Sequence, residues 1–197
     1  KNEYTGAANN WSGMAVDKKR GILYVPTGSA GYDFWGGNRK GQNLYANCLL
    51  ALDAKTGKLL WHFQTTHHDI WDRDLPAPPN LITVTRNGKQ VDAVAQITKQ
   101  GFVFIFDRVT GKPLFPIQER KVNTTALPGE EAWKTQPFPL SPKPYARLSN
   151  EIQATDVSPY AKNKEELKKI LSSLKRGWYD APSEQGTLIL PGFDGGG

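Results

Sequence analysis

The sequence predicts an all-β fold built from repeated sheet units. Three observations predict it: a recurring Asp-to-Gly frame, a succession of short apolar stretches separated by turn residues, and helical periodicity in one segment alone. The frame reads apolar, any residue, Asp, three residues, Gly, three residues, apolar or aromatic. It appears as AVDKKRGILYV (residues 15–25), ALDAKTGKLLW (51–61) and IFDRVTGKPLF (105–115). Asp17, Asp53 and Asp107 hold corresponding places, and their spacing predicts one repeat unit per copy, the second enlarged by a loop. In each copy the Asp bonds its own turn amides and the Gly takes a positive φ, so the unit is strand, tight turn, strand. Short strands without intervening helices favour a propeller or a sandwich over an α/β fold. A repeat of about 40 to 50 residues favours the propeller, with one four-stranded blade per unit.

Taken in order, further strands are expected at GILYVPTG (21–28), LITVTRNGKQVDAVAQIT (81–98), GFVFIFD (101–107) and GTLILPGF (186–193), the second being a hairpin that turns at Asn87-Gly88. Two segments break the rhythm. LPGEEAWKTQPFPLSPKPYARL (127–148) is rich in proline and is expected to run as an extended surface loop. NKEELKKILSSLKRGW (163–178) places Leu167, Ile170, Leu171 and Leu174 at helical spacing, with Asn163 as a cap and Glu166 three residues on, which predicts an inserted surface helix.

Composition narrows the partners. Lys and Arg number 25 against 19 Asp and Glu, a formal charge of +6, but the basic residues are scattered. The one dense run, KNKEELKKILSSLKR (162–176), is interleaved with acids and reads as a solvated helix face, so no nucleic-acid partner is expected. The single cysteine, Cys48, excludes an intramolecular disulfide framework and a cysteine zinc set, and its apolar setting predicts a small buried residue. No apolar run approaches the roughly 18 residues of a membrane helix, and no signal peptide opens the chain. Both ends read as cuts, which predicts a segment of a longer protein.

The chemistry concentrates in HFQTTHHDIWDRDLP (62–76), which holds all three histidines and three aspartates. A transition-metal site on His67, His68 and Asp69 is one reading, and it would suit a metal-dependent hydrolase. Against it, strand alternation sends His67 and Asp69 to one side and His68 to the other, and no second His- or Cys-bearing segment completes a zinc site. From the residues alone Asp72 caps a turn, Asp74 closes one, Trp11 is a core residue and Lys99 is a solvated turn residue.

Several ordered motifs then carry a resemblance. ALDAKTGKLLW matches in full the tryptophan-docking motif, Ala-x-Asp-x-x-Thr-Gly-Lys-x-x-Trp, of the quinoprotein dehydrogenases that bind pyrroloquinoline quinone (PQQ). FQTTHHDIWDRDLPAPPNL (63–81) resembles the active-site stretch of their membrane glucose dehydrogenase-like branch, and NWSGMAVD (10–17) and ITKQGFVFIFDRVTGKPLFP (97–116) are similar to the family in the right order. The resemblance implies part, about half, of an eight-bladed β-propeller in which the Trp61 indole stacks on the turn of the next blade, with Val25 and Phe115 in degenerate copies. Residues 1–197 are then one partial propeller domain, with blade-like repeats near 11–61, 62–118 and 186–197 and the proline-rich loop and helical insertion at about 119–180.

For function, the resemblance implies hydride transfer from an aldose sugar (glucose-like) or an alcohol to PQQ, with electrons passed on to ubiquinone or a cytochrome. Asp72 is implied as the catalytic base, Trp11 as the floor under the cofactor, and Lys99 as the contact to its quinone oxygens. Ca²⁺ is the implied cation, with Ser29 standing where many members place an asparagine ligand. His67, His68 and Asp69 are expected as a polar network orienting Asp72, and Trp71 as a pocket wall or packing residue. The intact enzyme is expected in the bacterial periplasm, with membrane association a further implication. This segment is expected to be inactive without the missing remainder of the propeller. A non-catalytic scaffold of PQQ-like repeats is the alternative, one that has no need for Asp72, Trp11 and Lys99 together.

Overall fold

The computed structural model describes residues 6–193. Four antiparallel strands, β1 (Ala15–Asp17), β2 (Ile22–Pro26), β3 (Cys48–Asp53) and β4 (Leu59–Gln64), form one sheet in sequence order. A second sheet follows with β5 (Asn80–Arg86), β6 (Lys89–Ile97) and β7 (Val103–Asp107), and a ribbon pairs β8 (Ile117–Lys121) with β9 (Thr135–Pro139). The two sheets are up-and-down meanders, the arrangement of strands in a propeller blade.

The turns follow from the Asp-to-Gly frame. Asp17 Oδ1 accepts the amides of Lys19 and Arg20, Asp53 Oδ1 those of Lys55 and Thr56, and Asp107 Oδ1 those of Val109 and Thr110. Gly21, Gly57 and Gly111, at φ +65°, +72° and +69°, each donate back to the carbonyl of the frame's Asp. One expectation is corrected. The Asp17 turn joins β1 to β2 and the Asp53 turn joins β3 to β4, so the first two copies belong to one sheet rather than to successive repeats. The frame encodes a tight reversal between antiparallel strands, and a four-stranded meander uses two of them. Asn87 and Gly88, both at positive φ, make the two-residue turn between β5 and β6.

The two sheets are joined by Trp61. A Cβ placed on Gly111 would come within 2.5 Å of Trp61 Cδ2, so the indole of the first sheet lies directly on the glycine turn after β7. Its ring also meets Tyr24 and Phe106, with centroids 6.0 and 5.8 Å away. Val25 and Phe115 do not dock in this way. Val25 lies within β2, paired with Leu50, and Phe115 sits under the Arg86 guanidinium at 4.7 Å. Beside the indole, buried Asp17 binds Arg20 (2.7 Å) and Arg108 (3.2 Å), and Arg20 reaches Asp92 of β6 (2.5 Å), so charge as well as packing ties the sheets. The core beneath joins Tyr24, Leu49 and Ala51 to Val94, Phe102, Phe104 and Phe106.

Beyond residue 118 the structure departs from a simple loop. Within the proline-rich stretch Thr135–Pro139 pairs with β8, because Phe138 packs on Phe102 and Trp178 (5.0 and 4.7 Å), and an outer strand tolerates Pro137 and Pro139. The inserted helix α1 (Lys164–Ser173) has no buried residue, and its Leu167, Ile170, Leu171 and Leu174 face Val157 and Ala161 across a shallow groove. Asn163 precedes it, but its side chain bonds the Glu166 carboxylate (3.1 Å) rather than a helix amide. The stretch expected as a strand at 186–193 forms a single parallel bridge, Thr187 to Lys175, and residues 194–197 lie outside the described residues.

Candidate active site

Four residues singled out from sequence converge. Lys99 sits in the turn between β6 and β7, and its Nζ bonds Asp72 Oδ2 at 3.0 Å and Asp74 Oδ2 at 2.9 Å. Ser29, following β2, directs its Oγ to Asp72 Oδ1 at 3.1 Å and Asp74 Oδ1 at 3.0 Å. Trp11 is half exposed, at 54%, and Lys99 Nζ lies 5.8 Å from its ring centroid. An ammonium, two carboxylates, a hydroxyl and an open indole face thus share one place, assembled from four separate segments.

The segment between β4 and β5 is held in shape from within. Asp69 is buried and works as a backbone clamp: its carboxylate accepts the amides of Trp71 (2.9 Å) and Arg73 (2.6 Å) and the Asn47 side chain (2.7 Å). Between the clamped residues, Asp72 takes φ +56°, a left-handed conformation that Asp tolerates and that is common at functional sites. Arg73, also buried, donates to the carbonyls of Lys99 (3.0 Å) and Pro191 (2.7 Å), which fixes the backbone under the ammonium. Gln100 adds bonds to Thr65 and Thr66.

The two carboxylates are electrically unlike. Burial pushes the Asp72 carboxyl above its ordinary range, Lys99 opposes this, and the charge of Asp74 adds to it. At Asp74 burial acts in the same upward direction, but hydrogen bonds from Lys99 and from the Ser29 amide (2.6 Å) outweigh it and hold the carboxyl low. Lys99 is partly desolvated, which disfavours its charge, yet its two carboxylates keep it more firmly protonated than usual.

The expected orienting network is corrected. The segment is not a strand, so His67, His68 and Asp69 do not alternate, and they go to three different places. His67 bonds Gln64 (2.6 Å) and Glu119 (3.2 Å). His68, fully buried, places Nδ1 on the Gly41 carbonyl (2.7 Å) and Nε2 on Glu130 (2.6 Å). Neither imidazole is bonded to Asp72, and Asp69 acts on it through the backbone alone. Trp71 is a packing residue: it is 2% exposed, meets Tyr179 at 4.8 Å, and donates to the Asp180 carbonyl. Cys48 is buried, as expected, and burial pushes its thiol up to about 12.

Two members of the site were not singled out from sequence. Asp74 had been read as closing a turn, yet its carboxylate meets Lys99 and Ser29 on the same terms as that of Asp72. The signal for it was the Asp-x-Asp spacing of WDRD. Arg73 carried no sequence signal, because nothing local tells a buried guanidinium from a solvated one.

An exposed indole face beside a fixed ammonium suits a flat, anionic, aromatic-like ligand such as the quinone implied by the resemblance. Calcium fits this chain poorly. Lys99 already bridges Asp72 and Asp74, the Ser29 hydroxyl is engaged with both, and no three His, Cys, Asp or Glu side chains gather as a ligand set among the described residues.

Comparison with known proteins places the chain in a family. Residues 1–197 match the family described as PQQ: glucose/ethanol/alcohol dehydrogenase, beta-propeller domain. The chain is 40% identical over 204 residues to quinoprotein glucose dehydrogenase A of Acinetobacter calcoaceticus, with 96% of the chain and 25% of that protein aligned. It is 39% identical over 197 residues to the quinoprotein glucose dehydrogenase of Escherichia coli K12, with 96% and 24% aligned. The crystal structure of the quinohemoprotein alcohol dehydrogenase of Comamonas testosteroni superposes with a TM-score of 0.53 at 29% identity, covering 69% of this chain and 20% of that one. The chain thus spans about a quarter of the length of the curated relatives it matches, and it belongs to the PQQ-dependent glucose/ethanol/alcohol dehydrogenase β-propeller family.

Proposed function

We propose that this chain contributes the catalytic base and the cofactor floor of a PQQ-dependent dehydrogenase that oxidises an aldose sugar or an alcohol. The observation that carries the reading is the meeting of Asp72, Lys99 and the open face of Trp11. When bound, PQQ supplies a quinone carbonyl carbon that accepts a hydride from the substrate carbon. Trp11 binds the flat ring and keeps water from that face. The Lys99 ammonium, fixed through Asp74 and through the Arg73 bond to its carbonyl, stabilises negative charge on oxygens above the indole. Asp72 accepts the substrate hydroxyl proton. Its Oδ2 is committed to Lys99, whereas Oδ1 shares the single Ser29 hydroxyl hydrogen with Asp74, so Oδ1 is the freer acceptor. Its raised proton affinity suits that step.

Glucose-like aldoses are the favoured substrates within this reading, supported by the identity to two quinoprotein glucose dehydrogenases. Calcium would draw its oxygen ligands from the cofactor and from the remainder of the parent. Passage of electrons to ubiquinone or a cytochrome, and a periplasmic site of action, are what the family resemblance supports. The chain alone is expected not to turn over.

The test uses the full-length parent, with PQQ binding followed by tryptophan quenching and turnover followed by dye reduction on glucose and on simple alcohols. Asp72→Asn is expected to bind PQQ and to lose about 10²–10⁴ in kcat, the usual contribution of a general base. A parent that neither binds PQQ nor oxidises any of these substrates would overturn the reading.

A further inference from the structure

Asp74 has a place in the site that the proposed reaction does not by itself require. Its carboxylate is anchored to backbone, with the Ser29 amide donating to Oδ1 at 2.6 Å and Gly28 so close that a Cβ there would meet the same oxygen at 2.6 Å. Asp72 has no such anchor among its hydrogen bonds. Its donors are the Lys99 ammonium and the Ser29 hydroxyl, Asp74 binds both of them at shorter distance, and the Asp74 carboxyl is itself a hydrogen-bonding neighbour of Asp72. The four groups form a closed ring in which two carboxylates face each other across one ammonium and one hydroxyl. With one positive charge for two negative ones, Lys99 cannot neutralise Asp72 without giving up Asp74.

We propose that Asp74 is a positioning residue for the dehydrogenase reaction, holding Lys99 and the Ser29 hydroxyl away from full commitment to Asp72 so that Asp72 remains free to accept the substrate proton. The inference rests on the reading of Asp72 as the base. Its physical content is competition. An ammonium has three donors, and in this ring one goes to each carboxylate, leaving one to point toward a ligand over Trp11. Without the Asp74 charge, Lys99 and Asp72 become a one-to-one pair in a partly desolvated place, where such pairs hold most firmly. The oxygens of Asp72 would then be taken up by the ammonium and the Ser29 hydroxyl, leaving a substrate hydroxyl no open acceptor although the Asp72 side chain is intact. Lys99 would also shift from its shared position toward Asp72, away from the backbone anchor that Ser29 provides through Asp74.

The experiment compares the full-length parent with Asp74→Asn, Asp74→Ala and Asp74→Glu by PQQ affinity, kcat, thermal midpoint and the crystal structure of the cofactor-free protein. Asp74→Asn is expected to bind PQQ within about threefold of the unaltered parent while kcat falls by at least about tenfold, with Asp74→Glu recovering part of the loss. The cofactor-free Asp74→Asn structure is expected to show Lys99 Nζ closed on Asp72 alone. Unchanged kcat, or Lys99 unmoved, would overturn the proposal. So would a parallel loss of PQQ affinity, kcat and thermal midpoint in both Asp74→Asn and Asp74→Ala, which would assign Asp74 to holding the loop together. Should the unaltered parent neither bind PQQ nor turn over, the dehydrogenase reading fails by itself, and the position of Lys99 in the cofactor-free variant still decides what Asp74 holds.

Discussion

Asp72 and Asp74 stand two positions apart, share both their side-chain partners, and are displaced in opposite directions in their affinity for a proton. At Asp74 the Lys99 ammonium and the Ser29 amide together outweigh burial, whereas at Asp72, which has no backbone donor, burial and the Asp74 carboxyl prevail. The residues legible in the sequence were those a family motif marks, Asp72, Trp11, Lys99 and Ser29. Asp74 and Arg73 were not, because their importance lies in which distant backbone groups they reach. Glu130 belongs with them. It comes from the proline-rich stretch, is almost fully buried, and receives His68 Nε2 and the Gly36 amide. Burial disfavours its charge, but those donors prevail and hold its carboxyl below its ordinary 4.5. A carboxyl lowered on folding stabilises the native state above its unfolded value, and that contribution is lost as pH falls through the native one. Glu130→Ala leaves the buried His68 Nε2 and the Gly36 amide without their acceptor and is therefore expected to cost about 1–3 kcal/mol at pH 7. In thermal melts of the full-length parent the gap from the unaltered protein should narrow progressively below pH 4.5.

At the level of elements, the hairpins were the most legible feature, since Asp53 and Gly57, or Asp107 and Gly111, specify a turn through bonds made within a few residues. The grouping of hairpins into sheets was less so, because the same local code serves the β1–β2 and β3–β4 connections alike. Thr135–Pro139 was hidden for a related reason: its two prolines argue against a strand, and the apolar surface that recruits Phe138 comes from Phe102, just ahead of β7, and from Trp178, far along the chain. The contact of Trp61 with Gly111 was legible through its motif and makes two predictions. Gly111→Ala adds a methyl where the indole already lies, at a backbone angle that alanine resists, and is expected to destabilise the parent by at least about 1 kcal/mol. Trp61→Ala empties the same space and is expected to cost about 3–5 kcal/mol. Thermal midpoints of the two variants and of their combination check both, and a combined loss smaller than the sum would show that they act on one contact.

On the scale of the whole molecule, the segment is a set of sheets with open flanks. Strands β1 and β4 are the outer members of the first sheet, and Val16, Leu59 and Leu60 are exposed on them at 45%, 37% and 46%. Tyr32, Phe34, Trp35 and Tyr45 add an aromatic surface in the long connection between β2 and β3. Unpaired strand edges beside apolar side chains invite pairing with other chains. Residues 1–197 produced alone are therefore expected to self-associate with rising concentration, and sedimentation velocity over a tenfold dilution series would detect it. A monomer at every concentration would mean that these flanks are closed in solution. The seating of Trp61 on Gly111 acquires a second meaning at this scale. Both ends of the stretch from residue 62 to residue 110 are fastened by that one contact, and Asp72, Asp74 and Lys99 all lie inside the stretch. A greasy fastening on the flank of the sheets thus sets how much slack a charged ring elsewhere is allowed, and a protein loosened only there should lose catalytic tolerance to heat before it loses its fold.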